Sequence, residues 1–371
     1  MRRPALLIAV FSLTISTLAL GEATRTLRAT LSGDVKAPFA VENLAGRMTV
    51  VAGDGDTVIA VATVHSESEA LANAMRFEQV RNQDGLPTLR VIYPLDRERR
   101  IRYPEAFDDG ADTGRHGHHE SHWFLGLLFS NSEIRYDGHR VRVGSSNGTL
   151  LYADIEVTVP RRAVEATFRN FVGALRAEGL EGRIMLDTTH GAITARSLRG
   201  DIKADTGSSD VLAESITGSL VCDTGSGACI VNGFEGKELY CDTGSGAVRV
   251  RDVRAERLRA DTGSGHVRAE RADVEEFSGD TGSGGIEAEL VGTRLRRVKA
   301  DTGSGDVTLL LPAEASFDVA ADQGSGELTC AFADAQAVRS DHKTVGYRRG
   351  DGRARISIDT GSGDARIKPL R

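Results

Sequence analysis

The chain has 371 residues, with 46 Lys and Arg against 53 Asp and Glu and a net charge of −7. An acidic chain with no run of basic residues argues against nucleic acid and anionic membrane surfaces as partners. Aromatic residues make up only 5% while glycines number 42, a balance that fits stacked tight turns better than a globular enzyme core.

Residues 1–21 carry Arg2 and Arg3, an apolar run from Ala5 to Leu20, and the ending Ala19-Leu20-Gly21. This reads as a secretory signal peptide with a small-x-small cleavage site, no following Cys to take a lipid, and a core too short for an anchor. The expected mature chain is exported, to the periplasm or cell surface, and has no further membrane span. Its net charge becomes −9 as Arg2 and Arg3 leave.

Residues 22–160 read as a β region. Strands are expected at Phe39–Val41, Met48–Val51, Val58–Val64, Leu89–Ile92, His139–Val143 and Tyr152–Val159, the last closed by Pro160. One short helix is expected within Ser66–Arg76, capped by Ser66. Residues 94–138 interrupt this pattern as a charged, aperiodic insertion. It holds His116, His118, His119 and His122, imidazoles close enough in sequence to share Zn²⁺ or Cu²⁺. His119-Glu120-Ser121-His122 has one residue between Glu and His where the metalloprotease helix has two. A solvated loop is the favoured reading.

From residue 161 to 371 one pentapeptide governs the chain. Asp-Thr-Gly-Ser-Gly starts at Asp223, Asp242, Asp261, Asp280, Asp301 and Asp359, with variants at Asp205 and Asp322. From Asp205 to Asp322 the steps are 18, 19, 19, 19, 21 and 21 residues. A large apolar residue stands three before each Asp (Leu258, Phe277) and, in all but one repeat, a small residue stands one before (Ala260, Gly279). Apolar residues return six and eight after it, as at Val267 and Ala269. Period-two strands joined by Gly-rich turns at this step fit one coil of a β-solenoid; a propeller blade or helix pair needs a longer repeat. The expected fold is all-β: a single-stranded solenoid of about 19-residue coils, with the less regular N-terminal β region as its cap.

One exposed column tests this reading. Four residues before each Asp stand Glu238, Arg257, Glu276, Arg297, Asp318 and Arg355, alternating in sign, as neighbours in a stacked ladder should. Asp187 begins an earlier coil. Asp341 falls in register between Asp322 and Asp359 but lacks turn glycines, so its surroundings read as a degenerate coil or an excursion.

Asp-Thr-Gly-Ser is also the loop of aspartic proteases, which need two such carboxyls facing each other and sharing a proton. Many copies on one edge read instead as structural turns, with Asp accepting turn N–H groups and glycines supplying positive φ. The turn set is Asp205, Asp223, Asp242, Asp261, Asp280, Asp301, Asp322 and Asp359. Stacked carboxylates raise the possibility of Ca²⁺, although one Asp per coil is thin for an ion wanting six to eight oxygens. Cys222 and Cys241 occupy one column a coil apart, within disulfide range but poorly aimed; four buried thiols, with Cys229 and Cys330, are favoured.

Val41-Glu42-Asn43-Leu44-Ala45-Gly46, Ile155-Glu156-Val157-Thr158-Val159-Pro160, coils such as Leu198-Arg199-Gly200-Asp201-Ile202, and the ending Ile356–Ile367 together resemble the bacterial putative-adhesin family. The resemblance implies exported β-strand-repeat proteins of unknown function and carries over no catalytic residue. The expected function is a non-enzymatic envelope or surface scaffold binding an envelope protein or a glycan. The alternatives are a polysaccharide-active β-helix enzyme and a metal-binding periplasmic protein using the histidine loop.

Overall fold

The structure, a computed structural model, describes residues 7–11, 18–19, 22–32, 37–105, 132–340 and 343–370. It forms two compact units, Met1–Ser208 and Ser209–Arg371. Each contains parallel ladders of the expected β-solenoid type.

In the second unit the regular coils are the strands Val211–Thr224, Cys229–Thr243, Val248–Thr262 and Val267–Thr281, each paired in parallel and in register with the next. The coil Val248–Thr262 shows why they bend inward. Val248 and Val250, Val253 and Ala255, then Leu258 and Ala260 are all at most 2% exposed, while residues 251–252 and 256–257 lie outward at the two breaks. Three short sides with two inward residues each bury a core that no single coil could bury alone. The break at 251–252 is a left-handed residue, Asp252 with φ 55°, matched by Ser215, Gly233 and Arg271 in the neighbouring coils.

The final coils do not stack in sequence order. Arg297–Thr302 pairs with Ala354–Thr360, and Ala354–Thr360 pairs in turn with Phe317–Asp322. Likewise Ala365–Pro369 lies between Val307–Leu311 and Leu328–Cys330. The C-terminal segment is thus inserted as a coil between the two that precede it. The chain gains room for this return through a hairpin, Gln336–Ser340 with Lys343–Arg349, whose second strand runs antiparallel along Phe317–Asp322. The excursion reading therefore holds for this stretch; Asp341 lies outside the described residues. Phe332 closes the end, edge-on to Phe317 at 5.2 Å, with the Arg349 guanidinium 4.8 Å above its ring.

This order corrects the charge column. Glu238 and Arg257 pair at 3.5 Å and Glu276 with Arg297 at 3.4 Å, as expected. Arg355, however, sits between Arg297 and Asp318, so one like-charged contact replaces the alternation read from chain order.

The first unit uses the same device. Phe39–Ala45 pairs in parallel with Val164–Val172, and Met48–Gly53 with Leu175–Glu178, so the first coil is residues 39–53 and the next begins at 164. Glu181–His190 and Arg199–Thr206 continue the stack. The chain between 53 and 164 supplies Val58–Ser66 and Thr149–Pro160, which form an antiparallel sheet with the earlier strand Glu22–Ser32, a hairpin Arg76–Arg81 with Pro87–Ile92, and a group Arg100–Arg102, His139–Gly144 and Ser132–Tyr136. The helix is Glu69–Ala74, and its cap is Ser68, whose hydroxyl accepts from the Leu71 N–H. Ser66 is fully buried and donates to the Ser68 carbonyl instead.

Candidate binding surface

The turn column comes first, because its sequence is the most regular. In the second unit Asp223, Asp242, Asp261, Asp280, Asp301, Asp359 and Asp322 stand in that spatial order. The hydrogen bonds that hold the turns belong to the next residue. Thr262 Oγ1 accepts the N–H of Gly265 at 3.0 Å and donates to the carbonyl of Gly246 in the preceding coil at 2.8 Å. Thr243, Thr281 and Thr302 repeat both bonds. In the first unit the equivalent column is Asn43, Asn170, Thr188 and Thr206. There Asn170 Nδ2 donates to the carbonyls of Gly46 and Gly173, and Thr188 and Thr206 share a 2.8 Å bond.

Two expectations about the turns are corrected by this geometry. The aspartates point outward and several are held by the residue two before them: Asp205 by Lys203, Asp242 by the Tyr240 hydroxyl, Asp261 by Arg259 and Asp301 by Lys299. The turn glycines are not left-handed. They are required because a Cβ on Gly265 would lie 1.8 Å from the Gly246 carbonyl oxygen, and one on Gly263 would lie 2.3 Å from that of Gly244. Close stacking of backbones, more than φ, demands glycine here.

Asp280, with Ser278 two before it, has no such cation there. Its pKa is raised by partial desolvation and then by Asp301 and Asp261 on either side. Among the described residues no three His, Cys, Asp or Glu side chains converge as a metal site. His116, His118, His119 and His122 lie outside the described residues. Cys222, Cys229 and Cys241 are buried thiols, and Cys330 is thiol but partly exposed. Burial pushes the Cys229 thiol up, and the bond to Cys222 followed by burial does the same for Cys241, so these sulfurs are packing groups and not nucleophiles.

Among the described residues, arginines concentrate in the first unit on the sheet of Arg100–Arg102, His139–Gly144 and Ser132–Tyr136. Alternation sends Ile101, Val141 and Ile134 into the core, all at most 4% exposed. The opposite face therefore presents Arg100, Arg102, Arg140, Arg142, Arg135 and Glu133. Register places Arg100 directly beside Arg142 and Arg140 directly beside Arg135. Glu133 reaches Arg140 at 3.4 Å and Arg142 at 3.8 Å, and among the described residues it is the one carboxylate in ion-pair range of this group. Arg140 and Arg142 remain 79% and 56% exposed.

Beside this face lies an open cleft of about 470 Å³ lined by Glu98, Arg100, Arg142, Asn147, Gly148 and Thr149. Its wall is fixed. Thr149 Oγ1 donates to Glu98 at 2.7 Å, and Gly148 packs so closely that a Cβ would meet the Arg100 carbonyl oxygen at 2.5 Å. The expectation of no basic cluster thus fails in three dimensions. Arg100 and Arg102 lie near the start of the 94–138 insertion, Arg135 near its end, and Arg140 and Arg142 just beyond it, so the cluster exists only after strand pairing.

Three solved structures are similar to this chain at low identity. A putative lipid binding protein from Parabacteroides distasonis has 11% identity and TM-score 0.38, covering 94% of this chain and 98% of that one. A putative adhesin from Bacteroides fragilis has 10% identity and TM-score 0.30 over 95% and 98%. A putative cell adhesion protein from Clostridium sporogenes has 8% identity and TM-score 0.18 over 94% and 100%. No curated protein matches. The family model of Toastrack DUF4097 matches residues 119–368, so the stacked Asp-Thr-Gly-Ser-Gly coils and the strands before them are those of a member: the chain belongs to the Toastrack DUF4097 family.

Proposed function

We propose that this chain is a non-catalytic binding scaffold, exported through the leader at residues 1–21 and acting in the periplasm or at the cell surface. The observation that carries this reading is the arginine face, where five arginines line one sheet and, among the described residues, one carboxylate, Glu133, is in ion-pair range, reaching Arg140 and Arg142. Like charges set directly opposite each other cost stability. At a spacing of about 5 Å each such pair costs about 1 kcal/mol even in water-like surroundings. A fold that keeps two such pairs side by side has a use for them, and an external anionic surface supplies the missing counter-charge. The aspartate column offers an enzyme no comparable site. Lys203, Arg259 and Lys299 each neutralise one of its carboxylates.

The test is saturable binding of the labelled protein, lacking residues 1–21, to intact cells and isolated envelope, against the variant Arg100→Gln/Arg140→Gln/Arg142→Gln. The reading predicts that the variant melts at the wild-type temperature or above and loses most of the binding. Equal binding by the two proteins would remove the face from the account, and no saturable binding by either would remove the scaffold function.

A further inference from the structure

We infer that the arginine face takes an anionic polysaccharide, one bearing carboxylate or sulfate groups, with the adjoining cleft seating one charged residue of the glycan. This deepens the proposed function and rests on it. Register sets Arg100 beside Arg142 and Arg140 beside Arg135 at the strand spacing of about 4.8 Å, while Arg140 and Arg142 repeat along one strand at about 6.7 Å. The result is a small lattice of guanidiniums, each able to take a carboxylate or sulfate through two parallel N–H donors. Such a lattice suits a ligand whose anionic groups also recur.

The cleft adds what a bare charge patch lacks. Asn147 and Thr149 stand at the mouth with Arg100 and Arg142, and Glu98 accepts a hydroxyl hydrogen bond from Thr149. A side-chain amide, a hydroxyl and a carboxylate beside two guanidiniums form a set that bonds sugar hydroxyls and one acidic substituent together.

A protein partner fits less well, because the described residues of the face present no aromatic or large apolar anchor of the kind that dominates protein interfaces. A bilayer fits less well too. Among the described residues the exposed large apolar ones are Val51, Val291 and Val338, none on this face, and the chain as a whole is acidic.

The experiment titrates the protein lacking residues 1–21 with polygalacturonate, dextran sulfate, neutral dextran and phosphatidylglycerol vesicles, in low salt and in about 0.5 M NaCl. Binding to at least one acidic glycan is expected, none to neutral dextran, and a steep loss in high salt. Arg100→Gln/Arg142→Gln should weaken the acidic glycan about tenfold, with a melting temperature at or above that of wild type. Asn147→Ala should weaken polygalacturonate while leaving the salt dependence intact. The inference fails if neither acidic glycan binds, if the arginine variant binds as well as wild type, or if vesicles bind more tightly than both glycans. Envelope binding that needs these arginines but is not competed by either acidic glycan would sink the glycan while leaving the scaffold reading standing.

Discussion

The threonine of Asp-Thr-Gly-Ser-Gly is the residue that joins coil to coil. Its hydroxyl both accepts from its own turn and donates to the coil before, so removing it leaves a glycine N–H and a carbonyl without partners. Thr262→Val should therefore cost about 1–3 kcal/mol in urea unfolding, and Asp261→Asn clearly less. A larger loss for Asp261→Asn would return the turn to the aspartate. Gly265→Ala should cost about 3 kcal/mol through the clash with Gly246. Gly285→Ala, where the nearest atom to a new Cβ is 3.1 Å away, should be far milder. At Asp280 the folded pKa lies above the ordinary aspartate value, so the folded chain holds the proton more readily than the unfolded one. Stability then rises as pH falls through that pKa. Asp280→Asn should stabilise the protein at pH 7, with the gain shrinking as the medium is acidified; a loss at neutral pH would contradict this. The sequence showed that Asp, Thr and Gly recur but not which does what. Burial decides that, and the pairing residues Lys203, Tyr240, Arg259 and Lys299, two before their aspartates, were present in the sequence as an unread signal.

Among elements, the lesson is in the ends of the stack. Period-two patterning around Val248–Thr262 made the regular coils legible, because each repeats the same inward positions. Spatial order was not legible where the chain leaves the stack and returns. Asp301 and Asp359 open identical turns, whereas the Asp322 turn has Gln323 in the threonine place, donating to the Thr344 carbonyl of the hairpin; that single substitution is the one local mark of the end coil. The hairpin Gln336–Ser340 with Lys343–Arg349 decides it, by occupying the outer edge of Phe317–Asp322 and sending the chain back inside. Covering that edge also removes a template for aggregation. Phe332→Ala should cost about 3 kcal/mol and, in hydrogen exchange, release Phe317–Asp322 before Val248–Thr262. Simultaneous loss of both would show that the end coil is not a separable unit of stability.

For the whole molecule, a repetitive stack of coils is interrupted by an irregular excursion, and the proposed binding face lies on that excursion. The arginine face escaped the sequence because charge was counted along the chain, whereas Arg100 and Arg142 become neighbours only through a parallel pairing across the insertion. The most direct test is a hydrogen-exchange footprint of the protein bound to isolated envelope. Protection confined to peptides spanning 97–102 and 132–149 is the predicted result. Protection along the turns at 259–266 and 278–285, with the arginine strands unchanged, would place contact on the aspartate column and contradict the account.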